Sequence, residues 1–267
     1  MILVTGSQGY IAHELDFGAR EVMRLDLLSG TELPLCYSKI GNKKELLEQV
    51  EVVVHTADLR LQDYNQDEVQ RTKKKATEFF KALCDAPRLK KVVLTSSCSV
   101  YGDQSDEIHE GSRTSPTSFY AESKLNVEEA LRASGIPGAT LRFGTAYGLN
   151  QRTREDLLVN QMLISLKNKK NMELRGLEAY RPYIHFYDFA RSLEAFALDK
   201  RYGLFNIVES NWTKSKILDL LRPYYPKALE VLKIRHDKPD RRNYFVRPQE
   251  HVTCHHSLET YLLEQLR

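Results

Sequence analysis

Tyr120 and Lys124 stand four residues apart in the run Phe119-Tyr120-Ala121-Glu122-Ser123-Lys124. On a helix that spacing puts both side chains on one face. A phenol ordinarily titrates near 10, and a cation one turn away favours its phenolate, which predicts a lowered value suited to a general base near neutral pH. The run Thr95-Ser96-Ser97-Cys98-Ser99-Val100-Tyr101-Gly102 supplies hydroxyls that can hydrogen-bond the same substrate oxygen. A Y-x-x-x-K spacing alone is a common accident, so its meaning depends on the elements around it.

Those elements alternate. Strands are predicted at Ile2–Thr5, Glu21–Asp26, Val50–Thr56, Lys91–Ser96 and Ala139–Phe143, several of them apolar on both faces, as strands between two helical layers are. Helices are predicted near Lys43–Gln49, Gln66–Cys84 and Ser118–Ala133. This alternation implies crossover connections and a parallel sheet. In the second half, Glu155–Lys169, Asp188–Asp199, Lys214–Leu221 and Ser257–Gln265 read as helical, with short strands at Met172–Arg175, Tyr183–Phe186 and Leu204–Ile207. A soft boundary near Leu149 divides a domain of residues 1–149 from a region of residues 150–267, some segments of which are expected to return to the first.

The first strand runs into Thr5-Gly6-Ser7-Gln8-Gly9-Tyr10-Ile11-Ala12. Glycines after a first strand let backbone N–H groups approach a pyrophosphate. The second strand ends in Asp26, twenty residues after Gly6, where a carboxylate can accept ribose hydroxyls and would repel a 2′-phosphate. NAD is therefore expected over NADP.

Composition excludes several classes. Of 267 residues, 42% are hydrophobic and 28% charged, which suits a globular protein, and no run approaches the length of a membrane helix. A net charge of +3 is too mild for a nucleic-acid footprint, and the lysine runs 73–75 and 167–170 fall in helical patterns as solvated faces. Cys36, Cys84, Cys98 and Cys254 form no C-x-x-C pair and no leader is visible, so a reduced, cytoplasmic protein is expected. The stretch His251–His256 lacks the spacing of a closed zinc site, and no metal is expected.

The motifs TGSQGYIA (5–12), LDLLSG (25–30), VVVHTAD (52–58), SSCSVYG (96–102), YAESK (120–124), LRFGTAYG (141–148) and RPYIHFYDFA (181–190) occur in one order over about residues 1–210. With them the chain resembles an extended short-chain dehydrogenase/reductase of the nucleotide-sugar epimerase/dehydratase group. The resemblance implies a Rossmann-type doubly wound parallel α/β sheet with a small, discontinuous C-terminal substrate-binding region. It implies that Ser97 is the catalytic serine, with Ser96 a lesser candidate. Tyr120 is then the acid and base, and Lys124 holds the nicotinamide ribose. Gly6, Gly9, Tyr10, Ile11 and Asp26 match cofactor contacts, together with Tyr120 and Lys124. Arg181 matches an arginine that clamps the substrate diphosphate, and Asn160 a contact to the nucleotide end. A second diphosphate arginine is expected among Arg235, Arg241 and Arg242, with Arg242 the candidate. A homodimer through the helices at Gln66–Cys84 and Ser118–Ala133 is also implied.

The chain departs from that family in places. Ala12 replaces the third glycine, and the first helix is expected to be about one turn short. Lys39 replaces an acidic residue near the adenine, Lys73 an asparagine, and Gly144 a substrate-contacting asparagine, while Ala57-Asp58 stands where Ala-Ala is usual. The Asp-Glu pair of 4,6-dehydratases is here Cys98-Ser99. Neither is an acid–base group near pH 7, which disfavours dehydration. The expected activity is epimerisation of a nucleotide-diphosphate sugar, at C4, by transient hydride transfer to NAD. The alternatives are an NAD(P)H-dependent 4-keto-sugar reductase and a Rossmann binding protein without turnover.

Overall fold

In the computed structural model the described residues are all but 28–32, 59–64, 227, 236–241, 249–251 and 266–267. The first half runs β1 (Ile2–Thr5), β2 (Val22–Asp26), β3 (Leu33–Pro34), α1 (Lys44–Leu47), β4 (Val52–His55), α2 (Gln66–Leu83), β5 (Lys91–Ser97), α3 (Phe119–Ser134), β6 (Gly138–Phe143) and β7 (Thr145–Tyr147). The second runs α4 (Leu158–Lys167), β8 (Met172–Leu174), β9 (Tyr180–His185), α5 (Phe186–Leu198), β10 (Gly203–Ile207), β11 (Ser210–Thr213), α6 (Lys214–Leu221), α7 (Ala228–Val231), β12 (Leu232–Ile234) and α8 (Leu258–Gln265).

Seven strands form one parallel sheet in the order β10-β6-β5-β4-β1-β2-β3. This is the doubly wound arrangement. The chain leaves β1 toward β2 and β3, then returns to its other side with β4, so the winding reverses between β1 and β4. A ligand crevice opens at the carboxyl ends of the strands at such a reversal. The faces sort by the two-residue period of a strand. Val4, Val54, Val93 and Leu141 point to one side, against Phe189, Leu193 and Phe196 of α5. Leu3, Val53, Val92 and Leu94 point to the other, against Phe79, Phe80 and Leu83 of α2 and Val127 and Leu131 of α3. Asn65 caps α2 by accepting the Glu68 N–H at 3.0 Å, and Ser118 caps α3 by accepting the Ala121 N–H at 3.2 Å.

The crossover from β1 to β2 departs from the expected short helix. It contains a single 3₁₀ turn, Ala12–Glu14. The residues that follow bury Leu15 and Phe17, two apart, which is an extended rather than a helical spacing. Carbonyls that a longer helix would satisfy internally go elsewhere: Arg24 donates to Ala12 O and Leu15 O, and Arg191 donates to Glu14 O.

The second half builds a three-stranded sheet, β11-β9-β7, and a parallel pair, β12-β8. These share a core with α4, α6 and α8, formed by Tyr147, Leu163, Tyr183, Leu218 and Leu262 among others. β10 and α5 return to the main sheet. The segment before α8 is fastened by Asp188, whose buried carboxylate accepts the N–H groups of His255 and His256 at 3.1 and 2.9 Å. No helix among the described residues is long and apolar enough to cross a membrane.

The rings of Phe143 on β6 and Phe189 on α5 stack with centroids 3.4 Å apart and an interplanar angle of 8°. Phe189→Ala opens a cavity between α5 and the sheet. The expected cost is about 3–5 kcal/mol, read as a lower midpoint in chemical denaturation with an unchanged slope.

Candidate active site

Gly6 directly follows β1 with φ +70°, and a Cβ there would lie 2.6 Å from the Ala57 Cα. Only glycine permits this approach of two backbones at the reversal point. The adjoining turn is held by its own bonds. Gly9 N–H donates to Gly6 O at 3.0 Å, and the Asp26 carboxylate accepts the Gln8 N–H at 2.9 Å. Asp26 thus ends β2 beside the glycine turn, as a ribose-binding carboxylate must. Tyr10 is buried and its hydroxyl donates to Gly148 O at 2.5 Å, so its side chain braces the turn, and Ile11 packs partly buried beside it. Burial pushes the Tyr10 phenol well above its ordinary value. The residues present fit a dinucleotide: a turn that only glycine can make and a carboxylate at the end of β2. The long helix that usually follows the turn is replaced by one 3₁₀ turn, so the axial dipole of a helix contributes little.

The carboxyl end of β5 brings the catalytic candidates together. Ser97 faces Tyr120 on α3 and favours its phenolate. The Ser97 hydroxyl oxygen also accepts from the Ser99 N–H at 3.2 Å and the Ser99 hydroxyl at 2.9 Å. The Lys124 ammonium lies 5.7 Å from the Tyr120 ring centroid and donates to Thr95 O at 3.2 Å. It also pairs with the Asp58 carboxylate, Nζ to Oδ2 2.5 Å. This pair changes the expected electrostatics. Burial raises the Tyr120 phenol; Lys124 lowers it, Asp58 raises it, and Ser97 and Arg154 lower it, with a net displacement upward. The phenol is therefore held above its ordinary value, not below it as the Tyr-Lys spacing alone predicts. Burial works against the Lys124 ammonium, but Asp58, Tyr120 and Glu128 more than offset this and hold it charged.

Ser96, the neighbouring hydroxyl, is committed to the scaffold. It donates to Glu128 Oε1, and the same carboxylate takes a two-pronged bond from Arg142 on β6, at 2.9 and 2.6 Å. The Arg142 guanidinium lies 4.7 Å from the Tyr101 ring centroid, and Tyr101 donates to Asn206 at 2.8 Å. Cys98 is buried with its thiol on Arg142 O at 3.2 Å, and burial pushes that thiol well above its usual range. It is no acid or base.

On the substrate side, Arg181 of β9 is buried, with its guanidinium 5.3 Å from the Tyr244 ring centroid and 3.5 Å from the Tyr244 hydroxyl. Arg242 is exposed and acts electrostatically on the same phenol. Arg235 instead pairs with Glu173 across β12 and β8, and Arg241 lies outside the described residues. Asn160 on α4 is fully buried: its carbonyl accepts the Gly148 N–H at 2.8 Å and its amide donates to Arg154 O at 3.1 Å. Both polar ends hold backbone. Gly144 has no room for a longer residue, since a Cβ would lie 3.0 Å from Pro182 carbonyl atoms.

Three groups escaped the sequence reading. Glu128 continues the spacing 120, 124, 128 along one face of α3, and that periodicity could have found it. Asp58 stood out as a departure but carried no sign of its partner 66 residues away. Arg154, paired with Asp156 at 2.6 Å, acts on both Tyr120 and Asp58, and nothing local marks it.

The sequence model described as the NAD dependent epimerase/dehydratase family matches residues 2–207. Among solved structures, the UDP-N-acetylglucosamine 4-epimerase from Methanobrevibacter ruminantium M1, in complex with UDP-N-acetylmuramic acid, is similar with a TM-score of 0.82 at 18% identity. The match covers 99% of this chain and 96% of that one. DesIV, a dTDP-glucose 4,6-dehydratase from Streptomyces venezuelae solved with NAD, matches with a TM-score of 0.83 at 19% identity over 99% and 95% of the two chains. TunA, an NAD dependent-NDP-hexosamine 5,6-dehydratase, matches with 0.80 at 22% identity over 99% and 96%. At these identities the likeness shows a shared fold.

His55 ends β4 behind the site. It is buried, 2.7 Å from the Thr5 hydroxyl and stacked on Phe79 with centroids 4.9 Å apart. Burial, aided by Lys124, lowers its value from 6.5 to about 3. The folded protein keeps this imidazole neutral, while the unfolded chain takes up a proton below 6.5. His55 stabilisation is therefore complete above pH 6.5 and falls as pH drops from there toward 3, by at most about 1.4 kcal/mol per pH unit. Denaturation midpoints across that window should fall less steeply in His55→Gln than in the unaltered protein.

Proposed function

Because the chain belongs to the NAD dependent epimerase/dehydratase family, we propose that it is an NAD-dependent epimerase of a nucleotide-diphosphate sugar, acting at C4. The observation that carries this reading is the convergence of Ser97, Tyr120 and the Lys124 ammonium, 5.7 Å from the Tyr120 ring centroid, at the carboxyl end of β5 near the reversal point. Bound NAD supplies a reversible hydride acceptor. Gly6, Gly9 and Asp26 would hold it at the glycine turn, and Lys124 would hold its nicotinamide ribose. Tyr120, as phenolate, takes the proton of the 4-hydroxyl and later returns it. Ser97 donates a hydrogen bond to the oxygen as charge develops there, a contribution that is commonly large. Arg181, with Arg242 two residues before Tyr244 in the chain, suits a diphosphate, since a guanidinium is always charged and two-pronged. A substrate gripped at its diphosphate can turn its sugar without leaving. The family's pairing of two copies through α2 and α3 belongs to the same reading, although α2 turns the polar residues Gln70, Lys73, Lys74 and Lys81 outward.

Dehydration finds no support at positions 98 and 99, where a buried thiol and a hydroxyl replace an acid–base pair. One observation favours a second reading. A phenol held above its ordinary value is better kept as an acid, which suits a reductase that protonates a 4-keto sugar.

Tyr120→Phe is expected to lower turnover by two or more orders of magnitude while nucleotide-sugar binding, followed by calorimetry, stays near that of the unaltered protein. Near-normal turnover removes the assignment. Denaturing the purified protein and weighing the nucleotide released separates the two readings. Stoichiometric NAD supports the epimerase, which recycles its cofactor. Net loss of NADH or NADPH on a 4-keto sugar supports the reductase.

A further inference from the structure

Asp58 stands where the family resemblance has alanine, and its carboxylate contacts the lysine of the catalytic set. The contact is not a surface pairing. The Lys124 side chain is 9% exposed and the Asp58 side chain 22%. Asp58 is also held from behind. Thr56 N–H donates to Thr5 O at 3.1 Å and the Thr56 hydroxyl to the same oxygen at 2.6 Å. The Ala57 backbone lies against Gly6. The two residues before Asp58 are thus fastened to β1 and the glycine turn, which fixes the backbone from which its side chain reaches Lys124.

The charges around this pair are largely committed. Arg154 faces Tyr120 and Asp58 but pairs with Asp156 through bonds of 2.6 Å. Glu128, one turn beyond Lys124, is held by Arg142. His55 is neutral, and Tyr37 faces Asp58 as an un-ionised phenol. Among the described residues, Asp58 supplies the carboxylate in ion-pair contact with Lys124.

We propose that Asp58 is a positioning residue of this site: its carboxylate anchors the Lys124 ammonium and offsets that charge at the Tyr120 phenol, so that Ser97, Tyr120, Lys124 and Asp58 act as one unit. The proposal rests on the reading of Tyr120 as the proton-transferring group. Its consequence is that Lys124 alone does not set the proton affinity of Tyr120. Burial is the largest influence that raises that affinity, and the Asp58 carboxylate adds to it, moving the acid limb of turnover toward alkaline pH and favouring the protonated phenol at rest.

The test uses the full chain with Asp58→Asn, which keeps the shape and removes the charge, and Asp58→Glu, which restores it. Phenolate formation is followed by ultraviolet absorbance against pH, each protein paired with its Tyr120→Phe counterpart so that the difference reports Tyr120 alone. In Asp58→Asn the Tyr120 step is expected at lower pH by about one pH unit, a roughly tenfold loss of proton affinity. The acid limb of kcat should move with it, while Asp58→Glu restores both. Coincident titrations of Asp58→Asn and the unaltered protein, with circular dichroism showing both folded, overturn the proposal. If Asp58→Asn does not fold, Asp58→Ala is titrated in its place, and a Tyr120 step coincident with that of the unaltered protein overturns the proposal. The two readings fail separately. A step that moves in a protein inactive on all nucleotide sugars supports Asp58 and removes the epimerase. An unmoved step, where Tyr120→Phe abolishes turnover, does the reverse.

Discussion

A helix carrying a catalytic pair is useful only if it is fixed against the strand that carries the third group. Here that attachment is the buried pair Glu128–Arg142. Glu128 belongs to α3, Arg142 to β6, and Ser96 of β5, between them, donates to the same carboxylate. Three elements meet at one carboxylate, two turns along α3 from Tyr120. A buried ion pair contributes little net stability against an apolar equivalent, yet losing one partner leaves a charge stranded. Its value is therefore geometric. It sets the rotation and height of α3, so that Tyr120 meets Ser97 and Lys124 reaches Thr95 O. Ser96 and Ser97 are adjacent at the end of β5 and so point to opposite faces, which leaves Ser96 on Glu128 and Ser97 toward Tyr120.

From that anchor the site extends toward β1 and β4, where the sheet changes its winding direction. Gly6 and Ala57 touch backbone to backbone there, and the residue after Ala57 is the carboxylate that meets Lys124. The glycine turn and the cluster of Ser97, Tyr120 and Lys124 are thus joined mechanically. The collapse of the first crossover to a 3₁₀ turn removes a long helix dipole from the site, and the N–H groups of Gly6, Ser7, Gln8 and Gly9 are engaged within the protein. The carbonyls left over are taken by Arg24 and Arg191, cations that a standard helix would not require.

The substrate half follows a similar logic with fewer charges. Tyr244 is held among Cys98, Val100 and Tyr101, which ties the C-terminal loop to the segment just after Ser97. Arg181 of β9 reaches the same ring from a distant part of the chain. Asn160, although placed at the nucleotide end by family resemblance, spends both polar ends on the backbone at Gly148 and Arg154. It shapes the wall in place of presenting an amide.

What the sequence by itself determined was local. Short apolar runs marked β1, β2, β4, β5 and β6 to within two residues, and the four-residue spacing put Tyr120 and Lys124 on one face of α3. The glycines and Asp26 marked the turn, and an ordered set of motifs pointed to the family. The tertiary structure decided what depends on contacts distant along the chain. The short strands β7, β11 and β12 exist through their partners and have too few residues to show a period. The first crossover became a 3₁₀ turn because arginines from β2 and α5 satisfied its carbonyls. Most of all, the direction in which Tyr120 is displaced could not be read from its neighbours on the helix. Spacing reveals which charge lies one turn away. Burial and a carboxylate from another strand, both products of the fold, decide how much of that charge the phenol feels.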